Sequence, residues 1–182
     1  MAYSPLMFET LRLLRSDFRA KARWLYESDG LGAQLKALAT DGSAAMTLYR
    51  LMQGARRAEL PALEMLFNKL NATFGGCIIG RGAEFGPGFV LIHAQGVVIN
   101  GSVRGGADVK IEHQVTIGAE RRASPVLGDG VFVGAGAKIL GPVTVGAHAR
   151  VGANAVVVHD VPAETTVVGV PAKPVVRSGS AG

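Results

Sequence analysis

Residues 127–158 read LGDGVFVGAGAKILGPVTVGAHARVGANAVVV, and their rhythm decides the fold. An aliphatic residue returns at every sixth position: Leu127, Val133, Ile139, Val145, Val151 and Val157. Glycine often follows it, as at Gly128, Gly134, Gly146 and Gly152, and a small residue often sits four places on, as at Ala137, Ala149 and Ala155. A period of six is neither that of a helix nor simple alternation. It fits a short strand and a turn, repeated so that three of them close one triangular coil. The aliphatic side chain points to the coil axis, and small residues occupy the corners where neighbouring turns crowd.

Toward the N-terminus the series continues through Ile79, Phe85, Leu91, Val97, Val103, Val109 and Val115, with Ala83 and Ala107 at the small positions. Only Arg121 breaks it. The stretch 119–126, AERRASPV, reads as an irregular turn within the coil or a short excursion from it, and exposed loops of this kind more often carry function than packing. The expectation is a parallel β-helix of about five coils over 79–168, within a domain spanning 75–168. Beyond Val157, Pro162, Pro171 and Pro174 stop further coiling, and 169–182 is a C-terminal tail whose last residues, RSGSAG, read as disordered.

Residues 1–74 differ in composition, holding the one Trp, all three Tyr and most of the Leu and Met. Ser4-Pro5 marks a helix start. Leu11, Leu14, Phe18, Ala22 and Leu25 recur at helical spacing, Leu48, Leu51, Met52 and Ala55 form a second amphipathic stretch, and Leu63, Leu66, Phe67 and Leu70 a third. Asp29-Gly30 and Asp41-Gly42 punctuate them. The Met and aromatic residues here read as core.

The chain of 182 residues carries a net charge of +5 with its Arg and Lys scattered, and no basic run is interleaved with aromatics. This argues against nucleic acid and suits an anionic cofactor. The single cysteine, Cys77, excludes an intrachain disulfide and a cysteine-built metal site. The start, MAYSPLMFETLRLLR, does not resemble a signal peptide, and no segment is apolar enough for a membrane span, so the cytoplasm is the expected compartment.

The pieces HAQGVVING, VTIGAE, LGDGVFVGAGAKILGPVTVGAHARVGANAVVV and VPAETTVVGVPAKPV resemble the serine acetyltransferase branch of the hexapeptide-repeat acyltransferases. Within that branch, FVLIHAQGVVINGSV followed by VKIEHQVTIG is most similar to exopolysaccharide O-acetyltransferases of the colanic acid kind. The resemblance covers roughly half of the chain. It implies a mainly β fold, a left-handed parallel β-helix with an N-terminal α-helical region, in a homotrimer with sites between neighbouring coils. It also implies acetyl-CoA as acyl donor, direct attack by the acceptor hydroxyl, and no metal.

By that resemblance His93 is the general base, since a neutral imidazole is suited to take the proton of a hydroxyl during attack. The family's orienting Asp, fifteen residues earlier, is replaced by Ile78, so the orienting group is something else, with Glu84, Asp108 and a backbone carbonyl as open candidates. His113 is a supporting or substrate-contacting residue, while His148 and His159 read as surface. Ala119, Ala135 and Ala153 match the positions where the backbone approaches the pantetheine arm, and Lys173 of GVPAKP the phosphate contact. Where serine-specific relatives supply charge, this chain has Ile92, Ala123 and Ser124. A free amino acid needs partners for both of its charges, so the expected acceptor is a sugar hydroxyl, held by groups such as Asn100, Ser102 or Gln95 with the ring face on Ile92, and with Ser124 a further candidate contact. Arg121 and Arg122 stand nearby as replacements for a lost cation. The alternative is serine O-acetylation; a third, a non-catalytic or metal-binding β-helix, lacks a third histidine beside His93 and His113.

Overall fold

A computed structural model describes residues 5–121 and 123–175. Arg122, Ser4 and the RSGSAG end lie outside the described residues.

Four helices come first: α1 (Pro5–Tyr26), α2 (Leu31–Leu38), α3 (Ser43–Arg57) and α4 (Pro61–Phe74). α2 fills the interval between the two Asp-Gly punctuations, which the sequence left unassigned. The coils follow. The first holds β1 (Ile78–Ile79), β2 (Glu84–Phe85) and β3 (Val90–Leu91); the second β4 (Val98–Ile99), β5 (Arg104–Gly105) and β6 (Lys110–Ile111). The third holds β7 (Thr116–Gly118), β8 (Val126–Leu127) and β9 (Phe132–Val133); the fourth β10 (Lys138–Leu140), β11 (Thr144–Val145) and β12 (Arg150–Val151). A fifth has β13 (Val156–Val157) and β14 (Thr166–Val168), with its second face reduced to a bridge between Val161 and Val145. The expected five coils are thus four complete turns and a partial one. β15 (Lys173–Pro174) closes the end, antiparallel to β14.

Every other strand pair is parallel, and the strands stack into three faces: β1-β4-β7-β10-β13, then β2-β5-β8-β11, then β3-β6-β9-β12-β14-β15. Along the axis Ile79, Ile99, Ile117, Ile139 and Val157 form one buried column, and Leu91, Ile111, Val133, Val151 and Val167 another. Gly105 occupies the same inward register on the second face. A side chain there would collide with the ring of Phe85, so glycine is what the wide aromatic start of the core demands.

The structure corrects the phase of the repeat. Val97, Val103, Val109 and Val115 are buried, but the strand-centre residues of the second coil are Ile99, Gly105 and Ile111. Each hexad has two inward positions, and a two-residue slip between Leu91 and Ile99 moves the series from one to the other. Up to Val157 the repeat therefore breaks twice, at 92–98 as well as at 118–126. The second break is a tight turn in which Glu120 and Ala123 exchange backbone hydrogen bonds of 3.0 and 3.1 Å, with Arg121 in the left-handed region at φ 55°.

The helices dock on the first coil through polar as well as apolar contacts. Arg50 uses all five donors: on both Asp17 oxygens (2.7 and 3.0 Å), Gln53 Oε1 and the carbonyls of Phe85 and Gly86. Phe89 N–H donates to Asp17 Oδ1. Tyr49 O–H donates to the Ala83 carbonyl and accepts from Phe85 N–H, while its ring packs edge-on against Phe85 and Phe89. Met46, Tyr49 and Met52 are core as expected, whereas Phe8 and Phe74 are exposed, since one layer of helices on a solenoid has an outer face.

Candidate functional site

The first break in the repeat carries His93. Its residues 92–97 form the corner joining the third face to the first, and the equivalent corners of later coils stack upon it. Gln114 N–H donates to the Gln95 carbonyl, Gly136 N–H to that of His113, and Asn154 N–H to that of Ala135. Coil by coil, this column presents His93, His113, Ala135 and Ala153. Coils repeat at the interstrand spacing of about 4.8 Å, so the column runs about 14 Å from His93 to Ala153. The two imidazoles meet edge-on with centroids 5.9 Å apart, and Glu112 Oε2 lies 3.6 Å from His113 Nδ1. The alanines leave the corner backbone open to a narrow, extended ligand. Lys173 is exposed on β15, at the outer edge of the third face and beyond the last full coil.

The other candidates stand elsewhere. Asn100, Ala119, Arg121 and Ser124 occupy the next corner, between the first and second faces. There Asn100 Oδ1 accepts from Ser102 N–H (2.9 Å) and lies 3.2 Å from Ser124 Oγ. Within the chain this group stands at a different corner from His93. Ile92 is 5% exposed and packs with Val90 and Ala20 of α1 rather than facing a cleft. His148 and His159 are exposed. Among the described residues no group of three His, Cys, Asp or Glu is placed to hold a metal ion, and no helix is long and apolar enough to cross a membrane.

At His93 the sequence reading missed a carboxylate. Asp41, in the loop between α2 and α3, lies with Oδ2 at 3.2 Å from His93 Nδ1. Glu84 and Asp108 are not the groups at the ring: Glu84 faces Arg104 on the second face, and Asp108 sits at the third corner beside Gly88. The Asp41 loop is fixed from beneath by Lys21 of α1, whose buried Nζ donates to the carbonyls of Asp41 and Leu91, the latter at 3.0 Å. Burial lowers the Lys21 ammonium to about 8, against the pull of Asp41. No spacing signal links residues 41 and 93; the docking of the helices creates the pair.

Known proteins bear on this geometry. Residues 124–159 match the family described as Bacterial transferase hexapeptide (six repeats). A serine acetyltransferase of Synechococcus elongatus is 35% identical over 180 residues, covering 95% of this chain and 70% of that protein. One from Helicobacter pylori is 34% identical over 176 residues, covering 94% and 97%. The crystal structure of Neisseria gonorrhoeae serine acetyltransferase superposes with a TM-score of 0.84 at 33% identity, covering 94% of this chain and 66% of that one. The same enzyme in complex with serine gives 0.83 at 32% identity, covering 93% and 70%. A serine acetyltransferase in complex with CoA gives 0.82 at 30%, covering 92% and 70%. The solenoid accordingly has the left-handed sense of the hexapeptide transferases, against the usual right-handed crossover.

These relatives overturn two expectations: the likeness to exopolysaccharide O-acetyltransferases and the sugar hydroxyl as acceptor. The physical error lay in counting charge at positions 92, 123 and 124 alone. A site assembled from several elements can draw its charge from residues outside those three positions.

Proposed function

Because the chain belongs to the serine acetyltransferase family, we propose that it transfers the acetyl group of acetyl-CoA to the hydroxyl of L-serine. The observation that carries the reading is the corner column, in which a histidine pair is followed by small residues in register along the axis. A thioester on an extended arm fits such a column. Its acyl end would sit at His93, its pantetheine along Ala135 and Ala153, and a phosphate within reach of Lys173.

In this mechanism His93 Nε2 takes the proton of the serine hydroxyl as its oxygen attacks the thioester carbonyl carbon. The C–S bond breaks, the CoA sulfur leaves with the proton carried by His93, and O-acetylserine and free CoA result. The bulk of His113 beside His93 narrows the space above the base and limits the poses the acceptor can take.

We also propose a homotrimer with the sites between subunits. Asn100, Ala119, Arg121 and Ser124 lie one corner away from His93, and a neighbouring subunit packed against the first face would bring its own set opposite the base. Arg121 would then meet the serine carboxylate.

The test is thiol release from acetyl-CoA with L-serine, with the product identified by mass. Expected is a serine-dependent kcat/KM of about 10⁴ M⁻¹s⁻¹ or above, falling roughly 10²–10⁴-fold in His93→Ala with CoA binding retained. No serine-dependent release from the parent protein overturns the assignment; full activity in His93→Ala moves the base to His113.

A further inference from the structure

We propose that Asp41, delivered by the helical region, is the positioning residue that orients His93 for catalysis. This rests on the serine O-acetylation read above. A base that accepts a proton at Nε2 must carry its own proton at Nδ1, and a carboxylate at Nδ1 fixes both that tautomer and the ring plane. The chain has Ile78 where the resemblance leads one to expect such a carboxylate. The hydrocarbon side chain of Ile78 has no hydrogen-bond acceptor to offer the ring. Asp41 Oδ2, at 3.2 Å from Nδ1, fills that role from a different element.

Two features hold the backbone of the Asp41 loop in place. Lys21, fully buried, ties the Asp41 backbone to Leu91, two residues before His93. Gly42 adopts φ 76°, and a side chain there would run into the Leu91 carbonyl. Glycine thus lets the loop lie directly on the strand that leads to the base. The backbone of the loop is therefore anchored against Leu91, beside its contact with the imidazole, while the carboxylate itself is 79% exposed in the chain.

The experiment pairs kinetics with a measurement that needs no substrate. In Asp41→Ala, serine-dependent kcat falls about 10- to 100-fold, the loss expected for one hydrogen bond to a charged group. The KM for serine stays within about twofold, as for a group acting on the transition state alone. Asp41→Glu recovers part of the rate. Imidazole ¹⁵N spectra of the unliganded protein show His93 protonated at Nδ1 in the parent and shifted toward the Nε2–H tautomer in Asp41→Ala. A raised KM with unchanged kcat overturns the proposal by making Asp41 a substrate contact, and so does a His93 tautomer indifferent to Asp41. A parent protein inert toward serine but with the expected spectra would instead sink the acceptor assignment and leave the pairing intact.

Discussion

The two halves of the molecule differ in how much charge their stability draws on. The β-helix buries stacked Ile, Val and Leu in a dry axial core, each coil resting on the last. The helical region joins it through Met46, Tyr49 and Met52 and also through a wholly buried ion pair between α1 and α3, Asp17 with Arg50, that hydrogen-bonds the backbone of the first coil; it leaves Leu31, Leu35 and Phe74 exposed outside. A repeat that buries its own neighbours is legible one residue at a time, whereas a docked layer depends on partners far along the chain. Solenoid stability is also a sum of local terms, while a buried charge network is lost as a unit.

The largest effect should come from Arg50→Met. It strands the Asp17 carboxylate in a dry interface, at a cost of about 3–5 kcal/mol. Hydrogen exchange should show α1 and α3 losing protection while the amides of β10 to β12 keep theirs. Simultaneous loss in both regions would erase the contrast. Next, Ile139→Ala removes the centre of a buried column and should cost about 3 kcal/mol by urea denaturation. Here the protection of α1 should survive best, the reverse of the first pattern.

The smallest effect lies at the seam, where Cys77 sits between α4 and β1. Burial pushes its thiol up to about 12 from an ordinary 9.0. Above pH 9 the unfolded chain gives up this proton while the native state holds it. Native stability from this group therefore falls as pH rises, by up to about 1.4 kcal/mol per pH unit. Lys21, lowered to about 8 from 10.5, acts in the opposite sense over that window. The measurement is thus the difference between parent and Cys77→Ala in denaturation midpoints from pH 8 to 10. A difference independent of pH would mean that water reaches the seam.

What could be read in advance follows the same division. The coils were legible because Leu127 through Val157 keep one phase without interruption. The slip at 92–98 was hidden because Val97, Val103, Val109 and Val115 also point inward, so the apolar series survived a change of position. The break at Arg121 was visible since no inward residue stands there. His93 came from its flanking motif, but its partner did not: Asp41 looked like one more turn residue before a glycine. Lys21, Asp17 and Arg50 resembled the charged face of ordinary amphipathic helices, and only tertiary docking reveals that they are inside.

The stacked corner has one more consequence, which concerns length. A solenoid grows in whole steps, so the distance from His93 to the far end of the column is counted rather than tuned, in increments of about 4.8 Å. The molecule is in this sense a gauge with engraved marks. Duplicating one eighteen-residue coil, such as the span from Lys138 to Ala155, would lengthen it by one mark while reusing the same interior chemistry. On the proposed function, a carrier arm that fits the present scale would then reach His93 or Lys173, but not both.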